Sequence, residues 1–350
     1  MPQNIFGFIP QRQIPSISKQ EEKDILDNMN QAIIYTPELF NEYEEMPMLY
    51  VNGTVNGCRI QAYVDCGAQR TCMSMKCAKR CGVSHLIDTS CSGDFLTASG
   101  IQKNVGRVHF FPIKTARNKL LTSFEIMDHM EDDIIFGLDL LKRYNCTIDL
   151  KNHKLLIGLT KSEVSFLEEA EITTQRHIKF FSHFRSFMRR ITGDHRMRRL
   201  DANIEAAMLS GLDKEVEKVT DVLYINCQVN GQQLKAMIDS GAQRTTMSAK
   251  CAEKCRIRKL ADPREAYELT CGMGKIIKTE GTVHYCAVNI EKDEIFTRFD
   301  ILDDLPVDVL LGLDVLKRYE CRIDVKGNNL IIGKTGTTVD FLPIKAENAS

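Results

Sequence analysis

No run of about 18 consecutive apolar residues occurs anywhere in this 350-residue chain, so no helical membrane span is predicted. Its first residues, MPQNIFGFIPQRQIP, lack a basic segment followed by an apolar one, so no export signal is predicted either. A charge surplus is also missing. Lys and Arg total 46 against 47 Asp and Glu, and the net charge of −1 gives no global pull toward nucleic acid or anionic membrane. A disulfide framework is not expected, because the 13 cysteines are odd in number and sit in a long chain without an export signal. Reduced thiols in a cytoplasmic or nuclear protein fit better. Zinc spacing is lacking as well: Cys77 and Cys81, like Cys251 and Cys255, stand at helical i, i+4 spacing, but no second His or Cys pair accompanies them. They read as core-filling residues, and no metal or cofactor is predicted.

What the chain does have is a repeat. Shifted by about 174 residues, LYVNGTVNGCRIQAYVDCGAQRTCMSMKCAKRC (49–81) aligns with LYINCQVNGQQLKAMIDSGAQRTTMSAKCAEKC (223–255), with 19 of 33 positions identical. A second block, DIIFGLDLLKRYNCTIDLKNHKLLIG (133–158), returns as DVLLGLDVLKRYECRIDVKGNNLIIG (308–333), offset by one further residue. A repeat this long is a whole lobe rather than a solenoid unit. The expected organisation is a helical or irregular segment 1–47, lobe one 48–167, a basic helical linker 168–221, lobe two 222–343 and a tail 344–350.

Within a lobe the signals are mostly β. Alternating or β-branched runs 49–55 and 58–64 are joined by Asn56-Gly57, a dipeptide suited to two-residue hairpin turns, and Asn230-Gly231 repeats it. Ser74 and Ser248 are expected to cap short helices ending near Cys81 and Cys255. Further strands are expected at 105–112, 120–128, 146–150 and 154–158, with a helical turn at 139–145. The predicted fold class is therefore mainly β, two tandem β-barrel lobes with helical N-terminal and linker segments. Polar, helix-prone stretches precede both lobes, at 21–40 and 200–219.

Each lobe carries an Asp immediately after an apolar strand and before a glycine: AYVDCGAQRT with Asp65, Cys66, Gly67 and Ala68, and AMIDSGAQRT with Asp239, Ser240, Gly241 and Ala242. The glycine allows a sharp turn and a close approach by a second segment. A hydroxyl after the Asp can bond across to a partner loop. Two carboxylates held at hydrogen-bonding distance share a proton, so one can accept a proton from water while the other protonates a substrate carbonyl. A lone Asp-Ser-Gly-Ala is weak support for this. The context strengthens it: about 72 residues after each Asp comes an apolar-apolar-Gly segment ending in Gly137 or Gly312, followed by Leu-Asp and a helical stretch.

With these motifs, GRVH (106–109) and GTVH (281–284), the chain resembles the retroviral-protease-like domain of the DNA-damage-inducible family of aspartic proteases, present twice. The resemblance implies two retropepsin-like lobes that each give one catalytic Asp, here Asp65 and Asp239, with a hairpin flap closing over an extended polypeptide substrate. Family members usually have one lobe and act as homodimers. Two lobes in one chain are expected to pair within the molecule, with pairing between chains as the alternative. Gly67 and Gly241 match the turn glycine and Ser240 the usual hydroxyl; Cys66 departs from it, and its thiol is expected to weaken one cross-loop bond by roughly 1 kcal/mol. A protease-like adaptor, weak or inactive as an enzyme, is the rival reading.

Ala68 and Ala242 stand where digestive relatives carry Ser, so a working pH nearer neutral is expected, and an optimum below about pH 3 would contradict it. The stretches 92–104 and 266–278 differ most between lobes and are the expected flaps, with Gly100, Gly272 and Gly274 as candidate tips. Lys142-Arg143 and Lys317-Arg318 read as solvated helix faces. The segment 176–200 holds eight Lys or Arg and one Asp, with Phe180, Phe184, Phe187 and Ile191 near helical spacing. It suits packing on a lobe, or contact with an acidic partner, nucleic acid or lipid.

Overall fold

The computed structural model describes residues 18–35, 47–97, 100–172, 222–270, 276–303 and 305–343. The expected helix at 200–219, the basic stretch 176–200, Gly272 and Gly274 lie outside these residues.

Lobe one is built from β1 (Tyr50–Val55), β2 (Cys58–Val64), β3 (Cys72–Ser74), β4 (Asp94–Thr97), β5 (Gly100–Thr115), β6 (Asn118–Met127) and β7 (Ile134–Phe136). It continues into β8 (Cys146–Asp149), β9 (Lys154–Ile157) and β10 (Ser162–Ser165). Lobe two repeats the plan with β11 (Tyr224–Val229), β12 (Gln232–Ile238), β13 (Thr246–Ser248), β14 (Glu268–Thr270), β15 (Ile276–Ile290), β16 (Asp293–Leu302) and β17 (Val309–Leu311). Strands β18 (Arg322–Asp324), β19 (Asn329–Ile332) and β20 (Thr337–Asp340) complete it. The helices are α1 (Lys19–Tyr35), α2 (Met75–Arg80), α3 (Leu138–Arg143), α4 (Ala249–Lys254) and α5 (Leu313–Arg318). Among the described residues no helix is long and apolar enough to cross a membrane.

Each lobe is a closed barrel. In lobe one the order is β1-β2-β7-β3-β6-β5-β4, and β1 also pairs with β5 to close it; lobe two has the same order and closes through β11 and β15. The Asn-Gly hairpins form as expected because both central residues take positive φ, 49° and 77° at Asn56 and Gly57, 46° and 77° at Asn230 and Gly231. Ser74 Oγ accepts from Cys77 N and Ser248 Oγ from Cys251 N, satisfying the otherwise orphaned first-turn donors of α2 and α4.

Six strands join the lobes. The order β10-β9-β8-β18-β19-β20 takes three strands from each, and the seam is the antiparallel pair β8–β18, with Ile148 opposite Ile323. Both isoleucines are fully buried in a hydrophobic cluster that includes residues of both barrels. Such a seam leaves neither β8 nor β18 as an exposed edge.

Two features were not legible in advance. Helix α1 precedes lobe one in sequence but docks on lobe two: Asn28 Oδ1 accepts from His284 N and Tyr285 N, both at 3.1 Å, and Asn28 Nδ2 donates to Tyr285 O at 2.8 Å. The Lys-Arg pairs of α3 and α5 are half-buried and not solvated faces. Arg143 donates to Leu121 O and stacks over Phe110, Arg318 donates to Phe296 O, and Lys317 Nζ donates to Pro47 O at 2.6 Å. The heads of Arg143, Lys317 and Arg318 serve backbone carbonyls, a use of long cations that a charge pattern alone does not reveal.

Candidate active site

Strands β2 and β12 each run inward and end at an Asp. Asp65 N donates to Phe136 O and Asp239 N to Leu311 O, both at 3.1 Å, so each turn hangs from the end of β7 or β17. Gly137 and Gly312 are required here, because a Cβ at either would collide with the backbone of Arg70 or Arg244. The turn is then locked from the Gly-Leu-Asp motif. Thr71 Oγ1 donates to Asp139 Oδ1 and Thr245 Oγ1 to Asp314 Oδ1, each at 2.6 Å, while the same hydroxyls accept from Gly137 N and Gly312 N. Sequence reasoning did not single out Thr71, Thr245, Asp139 or Asp314 as supports. Their identity in both repeats was the available signal.

The two turns meet face to face. A Cβ on Gly67 would strike the Asp239 carboxylate and one on Gly241 the Asp65 carboxylate, so each glycine makes room for the opposite acid. The Asp65 and Asp239 carboxyls thus stand against opposite turns, each beside the other's glycine, and the two are electrostatically linked. Asp65 Oδ1 accepts from Gly67 N at 2.8 Å and Ala68 N at 3.1 Å, and Asp239 Oδ1 accepts from Gly241 N at 2.7 Å. These amides favour charge, yet burial raises both carboxyls, and the Asp239 charge further lifts Asp65 well above its ordinary range. The pair titrates as a unit that retains a proton beyond the usual carboxylate range.

Below the acids the loops are clasped. Ser240 Oγ donates to Val64 O at 3.2 Å and accepts from Cys66 N at 3.0 Å; in the other direction Cys66 Sγ is 3.4 Å from Ile238 O and accepts from Ser240 N at 3.2 Å. The thiol therefore occupies the hydroxyl's position with the same partners. Burial pushes it up to about 12, which keeps it protonated and able to donate.

The walls differ between lobes. Tyr63, two residues before Asp65, is raised well above the ordinary phenol range by burial and then by the charges of Asp65 and Asp239. It packs with Tyr50, Leu167 and Ile172, the last two belonging to the first turn of the chain leaving lobe one. In lobe two the equivalent Tyr224 and Met237 are only half-buried. The stretches expected as flaps form the antiparallel pairs β4–β5 and β14–β15, and Gly100 opens β5 opposite Thr97. Their bases are also built differently. Asn104 bridges Gly93 N, Cys91 O and Glu125 in lobe one, whereas Tyr267 and Thr282 both donate to Asp300 in lobe two.

Two Asp-x-Gly turns in tandem barrels, facing one another through their carboxylates, define the aspartic-protease class of fold. Sequence comparison agrees, since the aspartyl protease family matches residues 37–149 and again 214–324. The chain belongs to the aspartyl protease family. It is 49% identical over 146 residues to zebrafish (Danio rerio) Protein DDI1 homolog 2, covering 40% of this chain and 34% of that protein. It is 48% identical over 146 residues to human (Homo sapiens) Protein DDI1 homolog 1, covering 40% and 36% respectively. The chain thus spans about a third of the length of these relatives. The crystal structure of the retroviral protease-like domain of Ddi1 from Leishmania major is 34% identical, with 36% of this chain and 97% of that one covered and a TM-score of 0.31.

Proposed function

We propose that the chain is an aspartic endopeptidase in which Asp65 and Asp239, from the two lobes of one molecule, activate a single water against a peptide carbonyl. The observation that carries this reading is the packing of each half-buried carboxyl against the opposite turn glycine, with the proton affinity of both raised. With one proton between them, the charged member takes a proton from water as it attacks, and the protonated member gives its proton to the carbonyl oxygen. The tetrahedral intermediate then collapses with proton return to the leaving nitrogen. Gly67, Ala68 and Gly241 amides hold the acids in register throughout. The substrate is an extended polypeptide lying between the acids and the β4–β5 and β14–β15 hairpins, whose candidate tips include Gly100.

The test is turnover of an unstructured peptide library by the full chain. Cleavage that is blocked by a hydroxyl-bearing transition-state analogue and reduced at least about a thousandfold by Asp239→Asn supports the reading. Binding of the analogue without any cleavage defeats it.

One observation favours a second reading, that of a peptide-binding adaptor: Cys66 replaces the hydroxyl in half of the clasp. Binding of library peptides with no product over prolonged incubation identifies that case. The many cysteines at packing positions, such as Cys77, Cys81, Cys251 and Cys255, support a reducing compartment, the cytoplasm or nucleus.

A further inference from the structure

A cluster outside the acids joins three different ligand types. Asp88 Oδ2 lies 3.1 Å from His109 Nε2 and 3.5 Å from Cys91 Sγ, and Cys91 Sγ lies 3.9 Å from His109 Nε2. A tetrahedral ion at metal–ligand lengths of about 2.0–2.3 Å places its ligand atoms roughly 3.3–3.7 Å apart, so this triangle needs only tenths of an ångström of adjustment. All three side chains are half-buried, which leaves a fourth direction open.

The local backbone holds the triangle in place. Asp88 N donates to Arg107 O and Arg107 N to Asp88 O, a bridge that fixes residue 88 against β5 two positions before His109. Gly106 permits it, since its φ of 148° and the proximity of Asp88 O leave no room for a Cβ. Ser90 N and Ser90 Oγ both donate to Asp88 Oδ1, which leaves Oδ2 as the oxygen turned toward Cys91 and His109.

The sister lobe supplies an independent comparison. There Asp262 and His284 hold the equivalent positions, but the Asp262 carboxylate is already engaged by a built-in cation, the Arg264 guanidinium at 2.7–3.1 Å, and Glu265 stands where lobe one has Cys91. Helix α1 also covers His284 through Asn28. Lobe one has exchanged that arginine for Ser90 and the glutamate for a thiol. The carboxylate thus loses its own cation at the same place where a soft ligand appears.

We propose that Asp88, Cys91 and His109 form a three-ligand site for a zinc-class divalent cation at the base of the lobe-one hairpin, with the fourth position open to water. Carboxylate, imidazole and thiolate together suit zinc rather than magnesium or calcium, which take oxygen ligands. The Cys91 proton goes to solvent as the ion binds. Because Asn104 links Cys91 O and Gly93 N just ahead of β4, the ion would fasten the root of one flap and not the other.

The test uses the full chain, stripped with chelator and titrated with cobalt(II) as the probe. The expected result is one cobalt per chain with a thiolate-to-cobalt charge-transfer band, which Cys91→Ser abolishes. Asp88→Asn and His109→Gln weaken binding by more than about tenfold. Cys286→Ser, altering a cysteine of lobe two, leaves the band intact. Circular dichroism verifies that each variant is folded. Absence of the band in the unaltered chain, its survival in Cys91→Ser, or its loss in Cys286→Ser overturns the assignment.

Discussion

At the scale of single residues, the clasp beneath the acids sets two side chains against each other in one network. Ser240 Oγ serves two buried backbone groups, so Ser240→Ala leaves Val64 O and Cys66 N unpaired and is expected to cost about 1–3 kcal/mol. Sulfur makes weaker bonds to Ile238 O and Ser240 N, and Cys66→Ala is expected to cost less. Urea denaturation of the two variants measures the difference, and equal losses would mean the thiol clasps as well as the hydroxyl.

The acids give a second expectation with a defined sign. Their folded affinity for a proton is raised above the ordinary value of about 3.9 for an unfolded Asp. Folding is therefore favoured by protonation fully below that value, and this contribution is lost as pH rises through the pair's folded range. Asp65→Asn removes the repulsion, so its melting temperature is expected to exceed that of the unaltered chain near neutrality and to converge with it in acid. Thermal unfolding across pH reads this directly, and under the proposed protease reading cleavage is expected to fall on its alkaline side over the same range. Of this network the sequence revealed the acids, the turn glycines and the odd cysteine. It did not reveal that Asp139 and Asp314 reach back to hold the turns, because a Leu-Asp at a helix start reads equally well as a simple first-turn acid.

At the scale of elements, local chemistry was legible where it is decided within a few residues. Asn56-Gly57 and Asn230-Gly231 each select a turn by φ alone, and Ser74 and Ser248 each find an orphan amide three residues on. Docking choices were not legible, since α1 is seated on lobe two by Asn28 on the β15 backbone, with Asp24 near Lys259 and Met29 near Arg264, all partners far away in sequence. The segment after β10 is a similar case. Leu167 N donates to Tyr50 O as Leu342 N does to Tyr224 O, and in lobe one Leu167 and Ile172 pack with Tyr50 and Tyr63. Leu167→Ala and Ile172→Ala are each expected to cost about 2–3 kcal/mol, at the lower end for buried aliphatics, because both lie near the surface. Together they should broaden the side chains accepted beside Tyr63. Cleavage-site profiling of the double variant measures that, and an unchanged profile would place this wall outside the substrate path.

At the scale of the whole molecule, duplication has produced two halves that share a plan and differ in detail. The six-stranded seam makes one cluster of two barrels, and the acids lie where the barrels face each other. The repeat period and the Asp-x-Gly turns made the two-lobed β architecture readable from the sequence. The seam was not readable, because Ile148 and Ile323 look like ordinary core residues of their own strands until β8 and β18 are placed side by side. The asymmetry of clasp, wall and hairpin base means that the two acids sit in unequal surroundings.

The most direct test of that central claim is complementation. Asp65→Asn and Asp239→Asn are prepared as separate full-length chains, assayed for peptide cleavage alone, and then assayed again after mixing in equal amounts with a cycle of unfolding and refolding. One site built within each chain predicts that both variants are inactive and that mixing restores nothing. Recovery of cleavage on mixing would show that the acids pair between chains and would contradict the account.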